Sequence, residues 1–171
     1  MQIIVSDSSC LIDLKKASLA EAFLKLPYEV LIPDTLFVEE LLSFSAIEKR
    51  ALQQAGLRVT EISPEGVVRA QQVIQQLPRL SIHDAFALVL AEAHPNCILL
   101  TGDGSLRAFA RDRKQIEVRG VLWVIDQLYT GRLCGAKALH QVLMGFSDDP
   151  TVRLPRRELI DAINRFAVLH T

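Results

Sequence analysis

Residues 3–14, IIVSDSSCLIDL, place a carboxylate directly after a short apolar run. The run IIVS is typical of a buried strand, and the apolar residues that return after the two serines predict a helix. Asp7 therefore stands at the carboxyl end of the first strand. Burying an ionised carboxylate without a partner costs several kcal/mol, so we expect a group nearby that compensates its charge.

The composition is that of one globular domain without a strong overall charge. The chain has 171 residues, of which 50% are hydrophobic and 23% are charged, and its formal net charge is −1. Such a charge gives no general attraction for nucleic acid or an anionic membrane. Any site for a polyanion must therefore be a local cluster of basic side chains.

The cysteines and the absence of long apolar runs favour a cytoplasmic protein. Cys10, Cys97 and Cys134 are odd in number and widely spaced, which predicts reduced thiols and neither a disulfide framework nor a zinc site. No apolar run approaches the ~18 residues of a membrane span, and the N-terminus has no basic region followed by a long apolar run. We expect no signal peptide and no membrane span.

Short β-branched runs alternate with longer segments of helical periodicity. Strands that are separated by helices predict right-handed βαβ crossovers and a mostly parallel sheet, so the predicted fold class is α/β, a three-layer α/β/α sandwich. The expected strands are 2–6, 29–32, 57–62, 96–100 and 116–119. The expected helices are 10–26, 34–55, 64–77, 81–94, 103–113 and three segments after Gly120.

The sequence also indicates a boundary near Phe146. The stretch FSDDPTVRLPRR at 146–157 is polar and contains two prolines. We predict a domain at 1–146, followed at 147–171 by a polar connection and a C-terminal helix that packs on the domain or on a partner.

Four separated acidic residues occupy strand ends or helix starts. Asp7 and Asp103 follow the first and fourth strands, where an open parallel sheet binds its ligands. Asp84 begins an apolar helix, and Glu40 lies at the edge of an apolar helical stripe from which Glu39 points away. If the first and fourth strands are adjacent, these carboxylates can meet in one crevice.

A divalent cation would relieve the repulsion within such a group. Neighbouring carboxylates resist simultaneous ionisation. Oxygen ligands without cysteine or a histidine cluster favour Mg²⁺ or Mn²⁺, and such an ion can activate water and neutralise charge on a phosphodiester. We predict a metal-dependent hydrolytic site.

Each acid also has a local structural explanation. Ser81 and Asp84 match a capping box, and Asp7 is suited to cap the first helix. Asp103 between two glycines fits an ordinary turn, and Glu40 fits a solvated helix. The case for a site is the joint placement of all four.

The order of these motifs resembles the PIN domain, a family of metal-dependent nucleases that includes toxins of bacterial toxin–antitoxin pairs. The resemblance covers roughly residues 1–145, and the motifs that carry it are VSDSSCLI, PDTLFVEEL, LSIHDAFALVLA and LLTGDGSL.

The resemblance implies a parallel five-stranded sheet of order 3-2-1-4-5 and cleavage of RNA by metal-activated water, leaving a 5′-phosphate. The implied Mg²⁺ or Mn²⁺ ligands are Asp7, Glu40, Asp84 and Asp103. Ser9 and Thr101 are implied to bind water or to orient the carboxylates, and local turn hydrogen bonding is the alternative for both.

Two features leave the details of the implied site open. Glu39 stands beside Glu40 and could replace it as a ligand. Gly104 occupies a place where some relatives carry another acid, so the site could hold one metal ion or two.

Basic residues near these motifs are candidates for binding RNA phosphates. Arg107 lies one helical turn after Asp103 and is the best of them, although a solvated helix face is the commoner role for such side chains. The other candidates are Lys15, Lys16, Arg79, Arg111, Arg113 and Lys114.

The implied partners are RNA and a cognate antitoxin that inserts a segment into the acidic crevice. The apolar faces of the first and second helices could also support a homodimer. The alternative function is a catalytically weak or inactive PIN-fold protein that acts as a binding or assembly subunit. An aspartate-based phosphoryl transferase is disfavoured, because Ser8 and Ser9 follow Asp7 where such enzymes need an acid.

Overall fold

The computed structural model describes residues 1–113 and 115–170. Its sheet is parallel throughout and has the order β3-β2-β1-β4-β5. The predicted α/β/α fold class and the sheet order implied by the resemblance are both confirmed. The strands are β1 Gln2–Ser6, β2 Tyr28–Pro33, β3 Arg58–Thr60, β4 Cys97–Leu100 and β5 Ile116–Arg119.

Helices cover both faces of this sheet, as right-handed crossovers in opposite directions require. Helix α2 contacts α1, α4 and α8, and α6 contacts both α5 and α7. The helices are α1 Ser8–Lys16, α2 Ala20–Leu24, α3 Asp34–Glu39, α4 Ala46–Gln54, α5 Pro64–Gln76, α6 Ile82–Glu92, α7 Gly104–Arg111, α8 Val121–Thr130, α9 Ala136–Asp148 and α10 Arg156–Leu169.

Strand β1 is the centre of the sheet and of the core. Ile4 and Val5 are fully buried, and β1 pairs with β2 on one side and β4 on the other. The chain proceeds from β1 to β2 and β3 on one side of this strand and from β4 to β5 on the other. The crevice beyond the carboxyl ends of β1 and β4 is therefore the expected ligand position in a doubly wound sheet.

The single helix expected at 10–26 is wrong, because α1 ends at Lys16. Ser18 adopts a positive φ of 55°. The Ser18 N–H donates to the Lys15 carbonyl at 2.9 Å, and the Leu19 N–H donates to the Leu14 carbonyl at 2.8 Å. This pair of bonds is a Schellman motif, which ends α1 without the glycine that normally signals it.

The single helix expected at 34–55 is also wrong, because residues between α3 and α4 leave the helical path. Ser45 Oγ accepts from the Glu48 N–H at 3.1 Å, and Glu48 Oε2 accepts from the Ser45 N–H at 2.6 Å. This capping box begins a new helix. Gly56, with φ 118°, ends α4 where the sequence predicted a stop.

The C-terminal segment packs against the rest of the chain. Helix α10 contacts α9 and α8, and Phe166 is fully buried with its ring edge-on to Tyr129 at 5.4 Å between centroids. The division at residue 146 stays a prediction. No helix in the described residues is long and apolar enough to cross a membrane.

Candidate functional site

Asp7 occupies the crevice between the ends of β1 and β4. Ser6 pairs with Leu100 in the parallel register, and the Asp7 N–H donates to the Leu100 carbonyl oxygen at 3.0 Å. Asp7 also caps α1, where its Oδ1 accepts from the Cys10 N–H at 3.3 Å. The residue is 3% exposed, so its carboxylate is almost entirely removed from water.

Two hydroxyl groups donate hydrogen bonds to the Asp7 carboxylate. Ser9 Oγ lies 2.7 Å from Oδ1, and Thr101 Oγ1 donates to Oδ2. The Gly102 N–H donates to Ser9 Oγ at 3.1 Å, which connects the loop after β4 to the first turn of α1. Both hydroxyl residues were expected near the carboxylates, and their functional role stays a prediction.

The pKa of Asp7 is raised from 3.8 to about 6. Burial is the main cause, and the negative charge of Asp84 adds to it. The hydrogen bonds from Thr101, Ser9 and Cys10 act in the opposite direction without compensating the burial. A nearby cation would favour the ionised form, yet no ion pair within the described residues includes Asp7.

Asp84 and Asp103 are helix caps as well as candidate ligands. Asp84 Oδ2 accepts from the Ser81 N–H at 3.0 Å in a complete capping box. Asp103 Oδ1 accepts from the Leu106 N–H at 2.7 Å at the start of α7. Each cap uses one carboxylate oxygen, so the structural role of these residues leaves the second oxygen available.

One cleft brings three of the predicted acids together. It has a volume of about 350 Å³, and its lining includes Asp7, Asp84 and Asp103. These residues come from the end of β1, the start of α6 and the loop after β4. The other lining residues are Ser8, Ser9, Ile12, Asp13, Lys16, Gly102, Thr151 and Arg153.

Glu40 is connected to this cleft through Ser8 but is not among its lining residues. Ser8 Oγ donates to Glu40 Oε2, and His83 Nδ1 lies 3.4 Å from Glu40 Oε1. The second imidazole nitrogen, Nε2, lies 2.6 Å from Glu39 Oε2. The side chain of Glu40 is 30% exposed and that of Glu39 is 59% exposed, so Glu40 is the more buried of the two, as predicted.

The predicted basic residues do not form one group. Arg107 and Arg111 line a second cavity beside the cleft, whereas Arg79 is exposed. Lys114 lies outside the described residues. The candidates already in ion pairs are Lys15 with Glu48, Lys16 with Asp149 and Arg113 with Glu92.

The donor chemistry of the cleft fits Mg²⁺ or Mn²⁺. Its acidic ligands are carboxylate oxygens, which these hard ions prefer. Among residues 1–113 and 115–170, no group of three or more His, Cys, Asp or Glu side chains is arranged to hold a metal ion. Mg²⁺ usually keeps several waters and uses only one or two carboxylates, so Asp7 with Asp84 or Asp103 is a sufficient set.

The family comparison agrees with this topology. A family model described as a PIN domain matches residues 3–167. This chain belongs to the PIN domain family. The match continues through most of α10, well beyond residue 145, where the resemblance of the motifs ends. No curated protein matches the chain significantly.

Membership of the PIN domain family indicates the general kind of activity and ligand to expect at this cleft. PIN domains are generally nucleases and typically depend on divalent metal ions. The family often binds RNA and toxin–antitoxin partners. The carboxylate cleft of this PIN domain therefore lies on a nuclease-type fold, at the sheet edge where ligands of such folds bind.

The sequence gives no indication that several other residues belong to the cleft. Ser8 contacts an acid that lies 32 positions away. Thr151 and Arg153 come from the connection before α10 and line the same cleft as Asp7. Only the packing of the C-terminal segment brings them there. His83 had a local signal, since it directly precedes Asp84 at the start of α6.

Proposed function

We propose that this PIN domain is a Mg²⁺- or Mn²⁺-dependent endoribonuclease that hydrolyses RNA phosphodiester bonds. The observation that carries the proposal is the buried Asp7 carboxylate, which shares a cleft with Asp84 and Asp103 and has a raised pKa. Three acids in one cleft favour a cationic ligand, and the family is generally one of metal-dependent nucleases.

The bound ion would supply an activated water and neutralise charge that develops on the phosphodiester. The role of the protein is to orient the carboxylates that would hold the ion. Ser9 and Thr101 fix both oxygens of Asp7, so this carboxylate cannot rotate away from the cleft. The oxygens of Asp84 and Asp103 that are not used by the caps would bind water or the ion.

Ser8 and His83 act as positioning residues for Glu40. The Ser8 hydroxyl and the His83 ring contact different oxygens of the Glu40 carboxylate. This arrangement places the Glu40 carboxylate beside the cleft, next to the lining residue Ser8. Glu40 would help to hold the hydrated ion by its negative charge, since Mg²⁺ usually keeps several waters.

The test is cleavage of labelled single-stranded RNA in the presence of Mg²⁺ or Mn²⁺. We expect Asp7→Asn and Asp103→Asn each to lower the rate at least about 100-fold, since even residues behind the ligands of a metal site contribute 10–100-fold. EDTA should abolish cleavage by the wild-type protein.

Asp161→Asn is the matched control. Asp161 is an exposed acid on α10 that lines neither the cleft nor the second cavity, so its substitution should leave the rate unchanged. Equal cleavage by the wild type, Asp7→Asn and Asp103→Asn would contradict the proposal, because it would show that the activity does not use this cleft.

We further propose that the nuclease is the toxin of a toxin–antitoxin pair and that its antitoxin inserts a basic segment into the acidic cleft. The family often binds such partners. Co-expression with the product of the neighbouring gene should give a stable complex with reduced RNA cleavage. Efficient cleavage by that complex would contradict this part of the proposal.

A binding or assembly subunit is the second candidate function. The observation in its favour is a set of exposed apolar side chains on α3 and α4 and between them. Val38 is 64%, Leu42 is 78% and Ile47 is 79% exposed, and exposed apolar groups that cluster mark interaction surfaces. A purified protein that binds no divalent ion at millimolar concentration and cleaves no RNA would favour this candidate.

A further inference from the structure

A second cavity beside the carboxylate cleft is lined by arginines. It has a volume of about 260 Å³, and its lining includes Arg107, Arg111, Arg119 and Arg153. We call this cavity the arginine pocket. Nothing in the proposed metal chemistry uses it.

The arginines of the pocket come from three separate parts of the chain. Arg107 and Arg111 lie on α7, Arg119 ends β5, and Arg153 belongs to the connection before α10. Because these parts are distant in sequence, the pocket is a product of the tertiary fold and not a basic face of one helix. The C-terminal segment therefore forms one wall of it.

The charge of the pocket is mainly positive. Arg107, Arg111 and Arg153 form no ion pair with any described residue, whereas Arg119 pairs with Glu117 at 2.5 Å. The acidic residues in the lining are Asp13 and Glu158. Three guanidinium groups at one cavity that pair with no carboxylate of the described residues provide donors for an anion. Arginine suits phosphate because its planar fork can bind two oxygens.

The arginine pocket and the carboxylate cleft are adjacent. Both are lined by Asp13, Gly102 and Arg153. Thr101 also lines the pocket, and its hydroxyl donates to Asp7 in the cleft. A polymer that occupies the cleft therefore has a short path into the pocket.

The start of α8 forms the opposite wall. Gly120, Val121 and Leu122 line the pocket, and Arg107 Nη1 lies close to Gly120, at 3.8 Å from the position that a Cβ there would take. The first N–H groups of a helix have no acceptor within it, so they add donors beside the guanidinium groups. Trp123 and Pro155 supply apolar surface in the same lining.

We propose that the arginine pocket binds an internal phosphate of the RNA strand, next to the phosphodiester in the carboxylate cleft. This proposal rests on the proposed ribonuclease function and identifies where its substrate is held. The volume lies below the roughly 300–1,000 Å³ of typical small-molecule sites. The pocket therefore accommodates one backbone phosphate with its sugar, and the strand continues into the cleft.

The first experiment measures the affinity of a labelled single-stranded RNA by fluorescence anisotropy in EDTA, over a series of salt concentrations. Arg111→Ala and Arg153→Ala should each weaken binding about tenfold, the usual effect of losing a hydrogen bond to a charged group. Each should also lower the slope of log K against log salt by about 0.7, as expected for one lost phosphate contact on a single strand.

Arg50→Ala is the matched control, since Arg50 is exposed on α4 and lines neither cavity. It removes the same charge and should change affinity less than about twofold if only pocket contacts matter. Arg153→Lys tests the geometry, because lysine keeps the charge and loses the planar fork. It should retain the salt slope and only part of the affinity. Melting temperatures of all variants should match the wild type.

The second experiment locates the phosphate. Single neutral methylphosphonate linkages are placed along the RNA, one per oligonucleotide. A neutral linkage at one position should weaken binding to the wild type. The same linkage should not weaken binding to the Arg111→Ala, Arg153→Ala double variant any further, because the phosphate and the arginines that contact it are coupled and their effects are not additive. If a terminal phosphate were the ligand, removing the 5′-phosphate would give this effect and no internal linkage would, which would overturn the proposal.

The outcomes separate this proposal from the ribonuclease function. If RNA is cleaved in Mg²⁺ and both arginine variants bind it as the wild type does, the pocket proposal is wrong and the function stands. If the variants lose affinity as expected but no RNA is cleaved under any metal condition, the pocket proposal stands and the function is wrong. If the wild type binds no RNA in EDTA, the pocket proposal is wrong, and if it also cleaves no RNA in Mg²⁺ or Mn²⁺, the function is wrong as well.

Discussion

Asp7 has a structural role as well as the chemical one proposed for it. The carboxylate caps α1 and accepts two hydroxyl hydrogen bonds, yet burial still raises its pKa to about 6. A residue that served only as a cap would be more stable near the surface, where desolvation costs little. The depth of Asp7 is thus unfavourable for the metal-free fold and favourable for binding a cation.

The stability of the metal-free protein should therefore depend on the charge of Asp7. The pKa of its carboxyl is 3.8 in the unfolded chain and about 6 in the folded one, so the folded state binds the proton more tightly. The contribution of this group to the free energy of unfolding is greatest below pH 3.8 and decreases by roughly 3 kcal/mol as the pH rises to about 6.

Urea unfolding of the wild type and Asp7→Asn in EDTA, from pH 3.5 to about 7, measures this effect, because the difference between the two cancels the other titrating groups. The wild type should lose stability relative to the variant across that range. Millimolar Mn²⁺ at neutral pH should restore it in the wild type only. A difference that does not change with pH would contradict the raised pKa.

At the scale of single elements, the sequence predicted most strands and helices within one or two residues. The errors arose where helices end. Gly56 has the residue type that favours a positive φ, and the end of α4 was predicted there. Ser18 adopts the same conformation without that residue type, so the end of α1 had no composition signal. The helix start at Ser45 did have a sequence signal, the S-x-x-E pattern of a capping box. The long apolar stripe across this position nevertheless favoured a single helix.

The end of α1 leads to a prediction about stability. Glycine should be favoured over serine at the positive φ of position 18, so Ser18→Gly should raise the free energy of unfolding by about 0.5–1 kcal/mol. Ser43→Gly is the control, since Ser43 is exposed in a loop without a positive φ and should gain nothing. Chemical denaturation of the wild type, Ser18→Gly and Ser43→Gly measures these free energies of unfolding. If Ser18→Gly were no more stable than the wild type, the serine side chain would compensate for the strain of the positive φ.

The whole molecule determines which sequence signals become a site. Asp7, Asp84 and Asp103 were predictable because each stands at a strand end or a helix start, and the sheet order then brings those positions to one edge. Contacts between distant segments were not predictable in this way. The bond from Thr101 to Asp7 joins residues 94 positions apart, and Arg153 reaches both cavities only because the C-terminal segment folds back.

The last prediction tests whether that C-terminal segment is part of the same cooperative unit. Phe166 on α10 is fully buried against Tyr129, so Phe166→Ala should lower the free energy of unfolding by about 3–5 kcal/mol. Trp123 in α8 is the only tryptophan in the chain, and α8 contacts α1 and α2, so the main fluorescence change follows the unfolding of these helices. If α10 unfolds together with the domain, the variant should shift the urea midpoint seen by Trp123.

Val168→Ala is the control, because this side chain is 74% exposed and surface substitutions usually change stability by less than about 0.5 kcal/mol. If the midpoint seen by Trp123 were the same in Phe166→Ala and the wild type, α10 would be an independent appendage. The wall that Arg153 gives to the arginine pocket would then not depend on the fold of the sheet. A shared transition instead ties that wall, and the phosphate contact proposed for it, to the stability of the PIN domain itself.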